Sequence, residues 1–183
     1  MPEWIPSTAS AKGRLVRAAL DAFGREGYQA VRVGELAAAA ETTTGPLYHH
    51  FGSKLGLYAF VREDVERRVV DRIEGALAAG VHLESDDVVA ALLVAFDYVA
   101  RAGFARMLSE AHPEARPDPV AAVLTAAVDG GATPLGTMLA AAWRAALGAA
   151  ADGADPDAVR AALRALGRRQ GVVVDRVHVS VLE

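Results

Sequence analysis

Residues 42–51 read Thr-Thr-Thr-Gly-Pro-Leu-Tyr-His-His-Phe, a concentration of hydroxyls, imidazoles, aromatic rings and bare backbone that nothing else in this alanine-rich chain matches. Three chemistries use such groups: hydrolysis through a hydroxyl and an imidazole, metal binding through histidines, and contact with the base edges and phosphates of a nucleic acid. The metal reading is poor. Adjacent helical residues such as His49 and His50 point about 100° apart, and the chain has neither an i, i+4 histidine pair nor an HExxH string, so no metal site is expected. With no cysteine, disulfides, thiolate metal sites and cysteine nucleophiles are excluded. A phosphate-binding loop, a dinucleotide fingerprint and a zinc string are also missing. A scattered Ser/His/Asp triad is the only enzymatic reading left open by spacing, so no catalytic residue is named and no cofactor is expected.

The third chemistry depends on the elements around the stretch. Leu15, Ala18, Ala19, Ala22 and Phe23 fall at i, i+3, i+4, i+7 and i+8 and predict an amphipathic helix over about residues 12–26, closed by Gly27 in a left-handed cap. Val33, Leu36, Ala37 and Ala40 predict a second, two-turn helix. Thr42 or Thr43 is placed to cap a third, about residues 44–50, with Pro46 tolerated in its first turn. Gly52 breaks it, and Ser53 caps a long helix carrying Leu57, Tyr58, Val61, Val65, Val69, Ile73 and Leu77. Further helices are expected from residue 85, over 104–111, 119–129, 134–151 and 156–169, with a mobile loop at 112–119 that holds three prolines. The tail 172–183 alternates like a strand and has no functional reading.

Two short helices joined by a tight turn, with a third across them, follow the plan of a helix-turn-helix. Its presented helix would set Thr43, Thr44, Gly45 and Pro46 toward base edges, where small residues permit close docking, with Thr42 beside them as a further DNA-binding residue. Tyr48, His49, Lys54 and Arg32 would meet phosphates. Leu47 and Phe51 share the inner face and are expected to pack. Charge does not nominate DNA by itself: the net charge is −4, and residues 1–60 hold 6 basic against 5 acidic side chains. Composition predicts a folded chain, since 52% of residues are hydrophobic, and no window of it is a membrane span. The N-terminus lacks the plan of a signal peptide, so a cytoplasmic location is expected.

The stripe Leu135, Leu139, Ala142 and Ala146, continued by Val159, Leu163 and Leu166, suggests two helices that meet their copies in a homodimeric four-helix interface. Alanines at 140, 141, 145, 161 and 165 would let another backbone approach closely.

Gly27-Tyr28, Val33-Gly34-Glu35-Leu36-Ala37, Thr43 to Lys54 and Leu57 together resemble the DNA-binding domain of the TetR family of bacterial transcriptional regulators. The resemblance covers about residues 12–62. It implies an all-α dimeric repressor of double-stranded operator DNA whose C-terminal helices bind a small effector and form the dimer interface through the last two. The layout is then residues 1–53 for the helix-turn-helix domain, 54–80 for a connecting helix and 81–183 for ligand binding and dimerisation. Phe96, Tyr98, Phe104, Met107, Met138 and Trp143 are the candidate pocket residues for a largely apolar effector. Three positions depart from the family pattern: Val31-Arg32 replaces the usual hydroxyl residues, Glu41 stands where glycine is common, and Thr44 stands where lysine is frequent. The near-neutral N-terminal part leaves open a second reading, a ligand-binding protein of the same fold with weak or lost operator binding.

Overall fold

The computed structural model describes residues 10–79, 85–129 and 132–168, and all regular structure among them is helical. The strand-like alternation at 172–183 lies outside the described residues.

The first helix, α1 (Ala11–Ala30), starts with the Ser10 hydroxyl accepting the Gly13 N–H. It kinks at Gly27, whose φ of 79° and ψ of 176° leave the helical region; the sequence placed a stop here, and the chain resumes for a last turn to Ala30. Then come α2 (Val33–Ala39), α3 (Thr44–Phe51) and the 26-residue α4 (Lys54–Ala79). At about 1.5 Å per residue α4 is about 39 Å long, enough to belong to both halves of the molecule. Its cap is the expected one, because the Ser53 hydroxyl accepts the Gly56 N–H. Thr43 occupies the N-cap position of α3, but its hydroxyl makes no capping bond.

The remaining helices are α5 (Ser85–Ala102), α6 (Ala105–Ser109), α7 (Pro119–Asp129), α8 (Leu135–Ala151) and α9 (Pro156–Arg168). The segment expected as a helix from residue 104 to 111 is therefore shorter, since Glu110 is already extended. A single apolar core runs through both halves, and α4 is its spine. Leu57, Tyr58 and Val61 share this core with Leu15, Phe23, Leu36 and Leu47, and further along α4, which packs on α5 and α7, Val65, Val69 and Ile73 belong to it as well. Trp143 is fully buried and donates its indole N–H to the Leu92 carbonyl at 3.1 Å, which ties α8 to α5.

Two glycines let α1 dock against the C-terminal half. A Cβ on Gly24 would lie 2.3 Å from the Gly103 carbonyl oxygen, and one on Gly27 would lie 2.1 Å from the Glu110 carboxylate. That carboxylate accepts the Tyr28 N–H at 3.1 Å, so an acid from beyond α6 satisfies backbone freed by the kink.

Candidate nucleic-acid interface

The turn between α2 and α3 is compact because Glu41 takes a φ of 50°, and the N–H groups of Glu41 and Thr42 return to the Ala38 and Ala37 carbonyls. Glu41 therefore adopts the left-handed conformation that glycine favours, at a cost of about 1–2 kcal/mol. Leu47 is fully buried beneath α3 and sets the helix's rotation. The opposite face is open: Thr43, Thr44, Gly45, Tyr48, His49 and His50 are exposed, while Thr42 and Pro46 are half-buried. Tyr48 is 53% exposed, unusual for a side chain of its size. Phe51 packs as expected, with its ring 5.5 Å from that of Phe60, and Lys12 lies over both rings.

Arg32 is exposed at the start of α2, where its N–H is accepted by the Glu35 carboxylate at 3.1 Å. Lys54 is placed differently from the simple phosphate contact anticipated. Its ammonium donates to the Tyr28 and Val31 carbonyls at 2.8 and 2.9 Å and lies 4.2 Å from the centre of the Tyr28 ring. It fastens the start of α4 to the end of α1, leaving at most one of its three donors for a phosphate. Arg14 plays a matching part, donating to the Ala40 carbonyl at 2.9 Å at the end of α2. Neither role was legible in the sequence, which names no acceptor for a lysine or an arginine.

Five of the six candidate pocket residues belong to or pack against the apolar core, and Met138 does not. Phe96, Met107 and Trp143 are fully buried in the core, and Met138 is 63% exposed. Tyr98 and Phe104 face one another with centroids 6.4 Å apart, and the Arg72 guanidinium covers the Tyr98 ring. The proposed interface residues Leu139, Val159 and Leu163 are 4, 7 and 2% exposed and pack within the chain. Leu135, Ala142, Ala146 and Leu166 are half-buried. The face left open carries Met138, Ala141 and Ala145 on α8 and Ala158, Ala161 and Ala165 on α9, whereas Ala140 is buried.

Sequence reasoning also missed a buried ionic cluster where the two halves meet. Arg62, 2% exposed, donates to Glu66 at 2.9 Å, to the Tyr58 hydroxyl at 2.6 Å and to the Glu110 carbonyl at 2.9 Å. Arg116 from the proline loop pairs with the other oxygen of Glu66, and Arg144 holds Asp118 through two bonds of 2.7 and 2.8 Å. Burial pushes the Tyr58 phenol above its ordinary value, although Arg62 opposes this. The available signal was the Arg62–Glu66 pair at i, i+4, but such pairs ordinarily lie in solvent. Among the described residues no group of three or more metal-ligating side chains forms a metal site, and no helix is long and apolar enough to cross a membrane.

A third helix presented by two supporting helices, with a long helix leading to an all-helical remainder, defines the fold of a helix-turn-helix DNA-binding regulator. Residues 15–60 match the family model of bacterial regulatory proteins of the tetR family. No curated protein matches the chain. Solved structures of similar fold cover most of it. A TetR-family transcriptional regulator from Streptomyces coelicolor has a TM-score of 0.66 at 21% identity over 87% of this chain and 93% of that one. A TetR-family transcriptional regulator from Pectobacterium atrosepticum has 0.62 at 23% over 90% and 95%. The fatty acid degradation regulator FadR from Bacillus halodurans has 0.63 at 14% over 85% and 97%.

Proposed function

We propose that the protein is a homodimeric transcriptional repressor that binds a pseudo-palindromic operator and is released by a small effector. The reading rests on α3, which buries Leu47 and offers Thr43, Thr44, Gly45, Tyr48 and His49 on one exposed face. Thr44, Gly45 and Pro46 are small enough for base edges to approach, and Tyr48, His49 and Arg32 supply donors for phosphate. Lys54 acts chiefly by positioning α1 and α4 under that face. The domain division at residues 53 and 80 belongs to the same reading, with α4 as the connecting helix between the two domains.

Release follows from a shift between two conformations. Two recognition helices bind only when their separation matches successive major grooves, about 34 Å apart. Effector binding beside α4 favours a state in which that separation is lost. The mechanical link is the Glu110 carboxylate, which joins the end of α6 to the α1 kink at Tyr28.

Selection from a genomic fragment library at two salt concentrations tests the reading. One or a few palindromic fragments should be retained at both. Retention of none at low salt overturns it in favour of a ligand-binding protein that has lost its operator, the alternative that the near-neutral first 60 residues support.

A further inference from the structure

Where α4, the proline loop and α8 meet, a cavity of about 220 Å³ is lined by Arg62, Glu66, His112, Arg116, Asp118 and Arg144 among others. What it lacks can be read from its hydrogen bonds. Both of these carboxylates are filled: Glu66 takes Arg62 and Arg116 with Arg144 at 3.8 Å, and Asp118 takes Arg144 twice plus the N–H groups of Val120 and Ala121. Arg62 and Arg144 each use all three guanidinium nitrogens on protein acceptors.

The donors are not all filled. Among the described residues the one acceptor bonded to Arg116 is Glu66, through a single nitrogen. His112 Nδ1 lies 3.1 Å from both the N–H and the carbonyl oxygen of Glu114; in the tautomer that accepts this N–H, Nε2 carries the ring proton and is a donor. That Nε2 is buried and has no partner among the described residues. Glu66 and Asp118 already face arginines, whereas the free edge of Arg116 and the Nε2 of His112 offer an anion donors on two sides.

We propose that this cavity binds a small organic carboxylate, held by the free edge of Arg116 and by His112, and that this compound is the effector. A planar guanidinium edge matches a planar carboxylate in two parallel bonds. The volume falls below the ~300–1,000 Å³ of sites for drug-sized ligands, so the compound is small. Pro113, Pro117 and Pro119 restrict the loop that carries both donors, which lowers the ordering cost of binding. Burial and the charges of Arg62 and Arg144, opposed by Glu63 and Asp118, hold the Arg116 guanidinium below its ordinary value. This carboxylate differs from the largely apolar effector expected from sequence. The effector role rests on the regulator reading above; the binding site does not.

Calorimetry on the full chain with acetate, succinate and benzoate, against acetamide, succinamide, benzamide and inorganic phosphate, tests the site without DNA. At least one carboxylate should bind saturably while its amide does not. Arg116→Gln should weaken it about tenfold or more, His112→Phe should also weaken it, and Arg116→Lys should weaken it less than Arg116→Gln. The site is overturned if no carboxylate saturates, if the amides or phosphate bind as well, or if Arg116→Gln and His112→Phe both bind like the wild type. A carboxylate that binds yet leaves retained fragments in place overturns the effector role alone. Failure to retain any fragment overturns the regulator reading and leaves the calorimetry standing.

Discussion

Glu41 is the one described non-glycine residue with a positive φ, at the turn that sets α3 against α2. Glu41→Gly should raise stability by about 1 kcal/mol in urea unfolding, because glycine takes this conformation without the Cβ clash. The three-helix domain should otherwise be unchanged. Lys54→Ala removes two bonds to the end of α1 and should cost about 1–3 kcal/mol. It should weaken all retained fragments by a similar factor in filter binding while leaving their order of preference intact. Thr44 substitutions should instead reorder it, since Thr44 is exposed on the proposed reading face. At this scale the sequence identified the presented residues from their types and spacing. It could not identify Lys54, Arg14 or Glu110 as fasteners, because their partners are backbone groups between 23 and 82 positions away.

The kink in α1 is an element held by a residue from elsewhere. Gly27→Ala should cost about 2 kcal/mol or more, since it forces a Cβ onto a positive φ and into the Glu110 carboxylate. Thermal unfolding measures the loss, and Glu110→Ala in the same protein should recover part of it by opening space. At the start of α7, Asp118 is half-buried. Burial pushes its carboxyl up, but the hydrogen bonds and charge of Arg144 and two backbone N–H groups outweigh this and leave it below its ordinary value. A depressed carboxyl contributes in full above its unfolded value of about 3.9 and loses that contribution as pH falls through its folded value. Asp118→Asn should therefore be less stable than the wild type by about 2 kcal/mol at pH 7, a gap that narrows in urea titrations at pH 3. Helix spans were legible because the 3.6-residue period and the Gly and Pro breaks agree. The exception was the end of α6, where Glu110 turns away from the helix to reach Tyr28. Burial of the charged stripe on α4 was not legible, because a pair at i, i+4 reads alike whether or not a loop covers it.

The whole molecule leaves Met138, Ala141 and Ala145 on one open face of α8 beside the exposed alanines of α9. Small residues there permit close helix approach, and this is the face proposed to pair with its copy. Met138→Asp and Ala141→Arg together should convert a dimer to a monomer in sedimentation at micromolar concentration and abolish retention of palindromic fragments. Equal mass for wild type and variant would sink the placement. Periodicity found these two helices and placed Ala141, Ala145, Ala161 and Ala165 on the open side, but also Ala140, which is buried, since alanine sits comfortably in either environment. Gly24 and Gly27 carry one more consequence. Because the backbone of α1 lies flush against Gly103 and Glu110, the first 53 residues are not a transplantable cassette. Grafted onto the effector half of a relative, they would fit only if the positions facing those two glycines travelled with them.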